Sequence, residues 1–380
     1  MTLKGEKHMN VLMTGGGTGG HVNPAIAIAN TIKKNIPDAN IAFVGTPKGM
    51  ENKLVAKEGY KMYHVDIQGI RRSLSPSNIK TAYLALVSPI RAKKIVAEFR
   101  PDIVIGTGGY VCWPILVAAS KMGVKTAVHE SNAVPGGATK RLEKYSDRIF
   151  LNFEDTAQYL KNKDKLVHVG NPLRASFDVY DREKARAELG IESSCKHLIV
   201  SYGGSLGAHA INMTMLDYMD KYAKYDSELR IIHAAGSREY ESIKAEFEAR
   251  GLDKYPNLEL REYIYNMPVV MSAADLVISR AGAMTVSELA LKGKNCILVP
   301  SPNVTNNHQY KNAKVLADAG AAILIKEDDF NADSINDEIS KLFSDPERCA
   351  RMSQDIKQFA LVDANKRIFN EILALIGEKK

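Results

Sequence analysis

Val11-Leu12-Met13-Thr14 runs directly into Gly15-Gly16-Gly17-Thr18-Gly19-Gly20-His21, and this stretch decides the fold. A short apolar strand that ends in glycines and is followed by a helical stretch, here Pro24 to Lys34, opens a parallel βαβ unit. The plan then repeats. Strands are expected at Asn10 to Thr14, Asn40 to Val44, Asp102 to Gly106, Lys125 to His129, Arg148 to Leu151 and Lys165 to Val169. Helices are expected at Pro24 to Lys34, Met50 to Glu58, Ile79 to Phe99 and Trp113 to Met122. At Gly170-Asn171-Pro172 the apolar strand stops and proline forbids simple continuation.

The second half restarts the plan, with strands at His197 to Tyr202, Arg230 to Ala234, Leu258 to Arg261, Leu276 to Ser279, Cys296 to Val299 and Ala322 to Ile325. Leu198 to Tyr202 runs into Gly203-Gly204-Ser205-Leu206-Gly207, a loose echo of the opening. The expectation is an α/β chain of two Rossmann-like, doubly wound domains whose strand ends face a cleft, with a phosphate-accepting helix start under each glycine loop. Boundaries are expected at 1–173 and 174–362, with 363–380 a C-terminal helix returning to the first domain.

Composition agrees with that plan. The chain has 380 residues, 45% hydrophobic and 25% charged, which fits two globular domains and excludes disordered, collagen-like and disulfide-scaffold classes. No apolar run approaches the roughly 20 residues of a spanning helix, and the polar start lacks the apolar stretch of a signal peptide, so the cytoplasm is the expected compartment. Cys112, Cys195, Cys296 and Cys349 stand singly, with no disulfide framework or zinc spacing.

Gly15, Gly17 and Gly20 fit G-x-G-x-x-G, but a dinucleotide site also needs an acid after the next strand, and that strand ends in Gly45-Thr46-Pro47-Lys48. Nor is there a P-loop lysine, since His21 follows Gly20. Five glycines in six residues instead form a floor that admits a large ligand. Further strand ends carry Gly106-Thr107-Gly108-Gly109-Tyr110, His129-Glu130-Ser131-Asn132, Asn171-Pro172-Leu173-Arg174, Arg280-Ala281-Gly282-Ala283-Met284-Thr285-Val286-Ser287-Glu288 and Asn307-His308-Gln309.

This ordered set, from about Asn10 to about Ile376, resembles the MurG family of glycosyltransferases. The resemblance implies a GT-B fold and the inverting, metal-independent transfer of N-acetylglucosamine (GlcNAc) from UDP-GlcNAc to lipid I, with no cofactor. Lipid I is the undecaprenyl-pyrophosphoryl-MurNAc-pentapeptide, and the product, lipid II, serves peptidoglycan synthesis. No D-x-D motif for a sugar-nucleotide metal occurs. By resemblance Glu288 binds the ribose hydroxyls, Ala283, Met284, Thr285, Val286 and Ser287 lie against the nucleotide, and the Ile264 backbone meets uracil. Ser205 and Arg174 take the phosphates, Gln309 and Asn132 the donor sugar, and Thr18, Gly19 and Gly20 line the same site. Gly108, Gly109 and Tyr110 lie on the acceptor side. Many members carry glutamine where His308 stands.

Simpler readings exist for several of these residues. Thr285 to Glu288 spells a capping box, and Ser205 suits a helix N-cap. His21 and Glu130 are both candidates for the base that deprotonates the acceptor 4-hydroxyl: His21 closes a glycine loop at a helix start, where a neutral imidazole suits general base work, and Glu130 either orients His21 or replaces it.

The net charge of +7 is localised. Between Arg71 and Arg100 stand seven basic residues (Arg71, Arg72, Lys80, Arg91, Lys93, Lys94, Arg100) against the single acid Glu98. Only Tyr83 and Phe99 could stack on bases there, so no nucleic-acid partner is expected. Ile79, Tyr83, Leu86 and Ile90 recur at helical spacing, either as a core stripe or, with the flanking cations, as a peripheral anchor to anionic inner-leaflet lipids through residues 71–94. Other UDP-sugar enzymes of the same fold, such as glycolipid glycosyltransferases or UDP-GlcNAc 2-epimerases, and a non-catalytic nucleotide-sugar binder are the rival functions.

Overall fold

The computed structural model describes residues 9–68, 77–173, 180–304 and 307–377, and within the helix Ser77–Phe99 it leaves out the side chains of 77–83, 85 and 86. The chain divides into two compact units: one takes in the chain up to Leu173 together with the segment from Leu361 onward, and the other ends at Ala360.

The first unit is a seven-stranded, all-parallel sheet built from β1 (Asn10–Thr14), β2 (Asn40–Gly45), β3 (Lys61–His64), β4 (Ile103–Gly106), β5 (Lys125–Glu130), β6 (Arg148–Leu151) and β7 (Leu166–His168). Their order is β3-β2-β1-β4-β5-β6-β7. Central strands are buried on both faces, so they read as continuous apolar runs. Strand β3 was not expected: it is an edge strand, and Lys61-Met62-Tyr63-His64 lacks an apolar run because it is never fully covered.

The second unit holds six parallel strands, β8 (His197–Tyr202), β9 (Leu229–Ala234), β10 (Leu258–Arg261), β11 (Leu276–Ser279), β12 (Asn295–Leu298) and β13 (Ile323–Leu324), in the order β10-β9-β8-β11-β12-β13. Each sheet therefore reverses its winding beside its first strand, between β1 and β4 and between β8 and β11. In open α/β sheets ligands bind at the carboxyl ends of such strands.

Three local expectations change. The first helix starts at Gly19 rather than Pro24, because the glycine loop itself winds into its first turn; Pro24, lacking an N–H, leaves the Gly20 carbonyl without its usual i+4 donor. The helix after β8 begins at His209 with Ala208 at its cap, so Ser205 is not the N-cap. The helix Ala283–Lys292 is capped by Gly282, which places Thr285 inside the first turn and removes the capping-box reading of Glu288.

The long helix Ser77–Phe99 runs through Pro89. Ser88, Ala92, Ile95, Val96 and Phe99 form its buried face, one turn apart. Ile90, of the stripe read from the sequence, is 61% exposed, so at that position the stripe is not core. Arg71 and Arg72 lie outside the described residues. The C-terminal helix Ala364–Gly377 buries Ile368, Ile372 and Leu375 in the core of the first unit. No described helix is long and apolar enough to cross a membrane.

Candidate functional site

In the first unit the switch point is built by two interlocked glycine loops. Gly16 N–H donates to the Gly108 carbonyl at 3.3 Å, and the Thr107 hydroxyl donates to the His21 carbonyl at 2.6 Å. Gly108 and Gly109 both have positive φ, and a Cβ at Gly109 would stand 2.4 Å from the Gly16 carbonyl oxygen. Only glycine permits that approach. A Cβ at Gly108 would meet the His21 ring at 2.4 Å, so the imidazole lies flush against this backbone.

His21 Nδ1 donates to the Gly16 carbonyl at 3.0 Å, with the Thr18 hydroxyl 3.3 Å away. A carbonyl can only accept, so the neutral ring carries its proton on Nδ1 and its lone pair on Nε2. That is the tautomer of a general base. Tyr110, 40% exposed, overhangs Gly17; burial, and then the charge of Glu51, raises its phenol pKa. Thr18 and Gly20 are exposed and Gly19 half-buried at the start of the helix.

Glu130 has a different environment. Its carboxylate, 5% exposed, accepts from Asn132 N–H and Asn132 Nδ2 at 3.0 Å each, Gly136 N–H at 2.9 Å and the Thr139 hydroxyl at 2.6 Å. A carboxylate has about four acceptor positions, and these four donors fill them. Glu130 thus folds the loop 130–139 and orients Asn132. His129, buried beneath, bonds the Gly170 carbonyl at 2.9 Å, and burial lowers its pKa. The thiol of Cys112 is pushed up to about 11 by burial and bonds the Gly108 and Thr14 carbonyls, so it is inert.

The second unit repeats the device. Gly204 and Gly207 have positive φ, and the loop carrying the exposed Ser205 is tied down through its carbonyl by Ser237 N–H at 3.1 Å and the Ser237 hydroxyl at 3.2 Å. Gly207 and Gly236 interlock so closely that a Cβ on Gly236 would stand 2.0 Å from the Gly207 nitrogen. Behind them runs a buried polar chain: Ser201 Oγ to His233 Nδ1 at 2.7 Å, His233 Nε2 to Asn212 Oδ1 at 3.1 Å, and Asn212 Nδ2 to the Ala235 carbonyl at 2.9 Å. Neither His233 nor Asn212 was singled out in the sequence, since their partners lie on other elements.

Burial lowers the His233 pKa to about 4, against the raising effect of its bond with Ser201. Unfolded, this histidine takes up a proton below about 6.5; folded, only below about 4. Its contribution to stability is therefore complete above about 6.5 and is lost as pH falls towards 4. Urea denaturation is expected to show about 2 kcal/mol less stability from this residue at pH 5 than at pH 7, and His233→Gln to flatten that slope. An unchanged slope in the variant would remove His233 as its source.

Around the start of Ala283–Lys292, Ala283, Val286 and Ser287 have buried side chains, while Met284, Thr285 and Glu288 are half-exposed on one face. Arg280 is held structurally, by an ion pair to Glu327 and a bond to the Val299 carbonyl. Gln309 Oε1 accepts from Ser301 N–H at 2.9 Å, which assigns the other end of the amide as its donor nitrogen. His308 precedes it at the helix start. Ile264 buries its side chain just after β10, between the exposed Tyr263 and Tyr265. Arg174 lies outside the described residues. Among the described residues no cluster of His, Cys, Asp or Glu is arranged to hold a metal ion.

Residues 11–151 match the glycosyltransferase family 28 N-terminal domain and 198–368 its C-terminal domain. With two doubly wound, Rossmann-like sheets this makes the protein a GT-B glycosyltransferase, an enzyme that transfers hexosyl groups. The chain is 41% identical over 97% of its length, and 100% of the relative's, to the UDP-N-acetylglucosamine–N-acetylmuramyl-(pentapeptide) pyrophosphoryl-undecaprenol N-acetylglucosamine transferase of Thermoanaerobacter sp. (strain X514). It is 40% identical to the enzyme of that name from Acetivibrio thermocellus, covering 98% of this chain and 99% of the relative. The crystal structure of Acinetobacter baumannii MurG superposes with a TM-score of 0.74 at 28% identity, covering 96% of this chain and 99% of that one. The chain belongs to the MurG family. A Neisseria meningitidis UDP-GlcNAc 2-epimerase, 18% identical with a TM-score of 0.66, shares the fold.

Proposed function

We propose that this enzyme transfers GlcNAc from UDP-GlcNAc, with inversion, to the C4 hydroxyl of the MurNAc-pentapeptide of lipid I, forming lipid II for peptidoglycan. The observation that carries the chemistry is the bond from His21 Nδ1 to the Gly16 carbonyl, which leaves Nε2 as the basic nitrogen. In this reading Nε2 takes the proton of the C4 hydroxyl as its oxygen attacks the anomeric carbon. The bond from that carbon to the UDP oxygen breaks on the opposite face, and UDP leaves with the negative charge. Ser205 and Arg174 meet that charge, where a fixed cation is worth most. Glu288 holds the ribose hydroxyls, Ile264 the uracil, and Ala283 to Ser287 the nucleotide. Gln309 and Asn132 hold the donor sugar beside Thr18, Gly19 and Gly20; Gly108, Gly109 and Tyr110 face the acceptor. The bounds 1–173, 174–362 and 363–380 then correspond to acceptor domain, donor domain and returning helix.

UDP release is the test. It is expected to require both UDP-GlcNAc and added lipid I, whereas an epimerase would act without an acceptor and a binding protein would release nothing.

A lipid-anchored acceptor requires the enzyme to work at the membrane surface, and we propose that residues 71–94 bring it to the anionic cytoplasmic leaflet. Exposed Ile90 with exposed Arg91, Lys93 and Lys94 supports this reading, although Asp66 pairs with Arg91. Each cation near such a surface contributes about 1 kcal/mol. Co-sedimentation is expected to need anionic vesicles and to weaken with salt. Equal binding to neutral vesicles, or full binding after changing Arg91, Lys93 and Lys94 together to Gln, would rule out this patch.

A further inference from the structure

Glu51 belongs to no motif in the sequence, yet it is 1% exposed and lies directly under the glycine loop. Its Oε1 accepts from Thr46 N–H and the Thr46 hydroxyl, each at 2.8 Å, and its Oε2 accepts from Gly17 N–H at 3.3 Å. Three glycines make room for it: a Cβ at Gly16, Gly45 or Gly49 would stand 2.9 Å or less from an atom of this side chain. Burial pushes the Glu51 pKa up, but the hydrogen bonds from Thr46, its own backbone and Gly17 outweigh this and hold it below the ordinary carboxylate value. The group is a buried carboxylate that is ionised near neutral pH.

Gly17 N–H and the Gly16 carbonyl are the two ends of one peptide unit. That peptide donates to Glu51 Oε2 from one end and accepts from His21 Nδ1 at the other, at 3.0 Å. We propose that Glu51 is a positioning residue for His21, acting through the Gly16–Gly17 peptide. The anion aligns and polarises the peptide dipole, which strengthens its carbonyl as an acceptor. A stronger acceptor on Nδ1–H holds the proton there and makes Nε2 more basic, as a carboxylate does when it bonds a histidine directly. Tyr110 and Cys112 also register the charge of Glu51, but their pKa values are raised, so both stay protonated near neutral pH and neither alters its sign.

This inference rests on His21 as the base, so its test needs a readout independent of catalysis. The imidazole of His21 is followed by nitrogen NMR, assigned by its loss in His21→Gln, in the full-length enzyme and in Glu51→Gln. The variant is expected to lower the His21 pKa by about half to one pH unit. The Nδ1–H tautomer should become less dominant. The acid limb of the kcat/KM profile should move to lower pH by the same amount, and kcat should fall about tenfold, well short of the roughly 10⁴ lost when a directly bonded carboxylate is neutralised.

Thr46→Val serves as the packing control, because it removes one bond to Glu51 and keeps the charge and the Gly17 contact. The His21 titration is expected to stay in place there. An unmoved His21 titration in folded Glu51→Gln, or an equal movement in Thr46→Val, overturns the proposal. Should Glu51→Gln not fold, Glu51→Asp keeps the charge but withdraws it from Gly17, and the titration should still fall, by less; no movement overturns the proposal in that case too. A moved titration with full turnover in His21→Ala would uphold the relay and remove His21 as the base.

Discussion

His21→Ala is expected to lower kcat by about 10² to 10⁴ while the donor KM stays within about threefold. The asymmetry follows from what the side chain does. Its Nδ1–H is spent on the Gly16 carbonyl, which puts the lone pair on Nε2, and under the proposed mechanism proton acceptance there matters only as the acceptor oxygen attacks. Ground-state binding of UDP-GlcNAc rests on other residues and should persist. Steady-state UDP release at saturating lipid I, with the donor varied, measures both constants. Glu130→Gln is the necessary companion, because it replaces an acceptor surrounded by four donors with an amide whose nitrogen can only add a fifth. That variant should lose stability and donor affinity together as Asn132 is released. Unchanged turnover in His21→Ala beside a folded but inactive Glu130→Gln would move the base to Glu130.

Glu288→Gln is expected to weaken UDP and UDP-GlcNAc binding by about 1.5 to 3 kcal/mol, roughly ten- to 150-fold in Kd. With Gly282 at the helix cap, Glu288 has no capping duty, and it lies with Met284 and Thr285 on the half-exposed face of that helix. A carboxylate there can accept from two ribose hydroxyls; an amide offers one acceptor and a donor. Calorimetry with UDP and with 2′-deoxy-UDP separates the contributions, since the variant should discriminate less between the two. If affinity is retained and only the melting temperature drops, the role of Glu288 is structural.

The sheets were legible in the sequence because their signal is local. Apolar runs such as Leu198 to Tyr202 and Leu276 to Ser279 become strands wherever both faces are covered, and a run ending in glycines marks the strand end where a ligand approaches. Edge strand β3 escaped because half-covered polar residues leave no run. Helix starts escaped where the cap has no polar side chain to declare it, as at Gly282 and Ala208.

By itself, then, the sequence determined two doubly wound domains, the glycine loops at their strand ends and membership of a glycosyltransferase family, since each rests on a few consecutive residues. Only the tertiary structure decided which groups meet. Parallel register sets β1 beside β2 and β4, which brings Glu51 under Gly17 and Gly108 against His21 from 34 and 87 positions away. It likewise sets Ser201 on β8 beside His233 on β9. Such partners are chosen by strand pairing across long loops, and a buried carboxylate and a surface one are the same letter until that pairing is known.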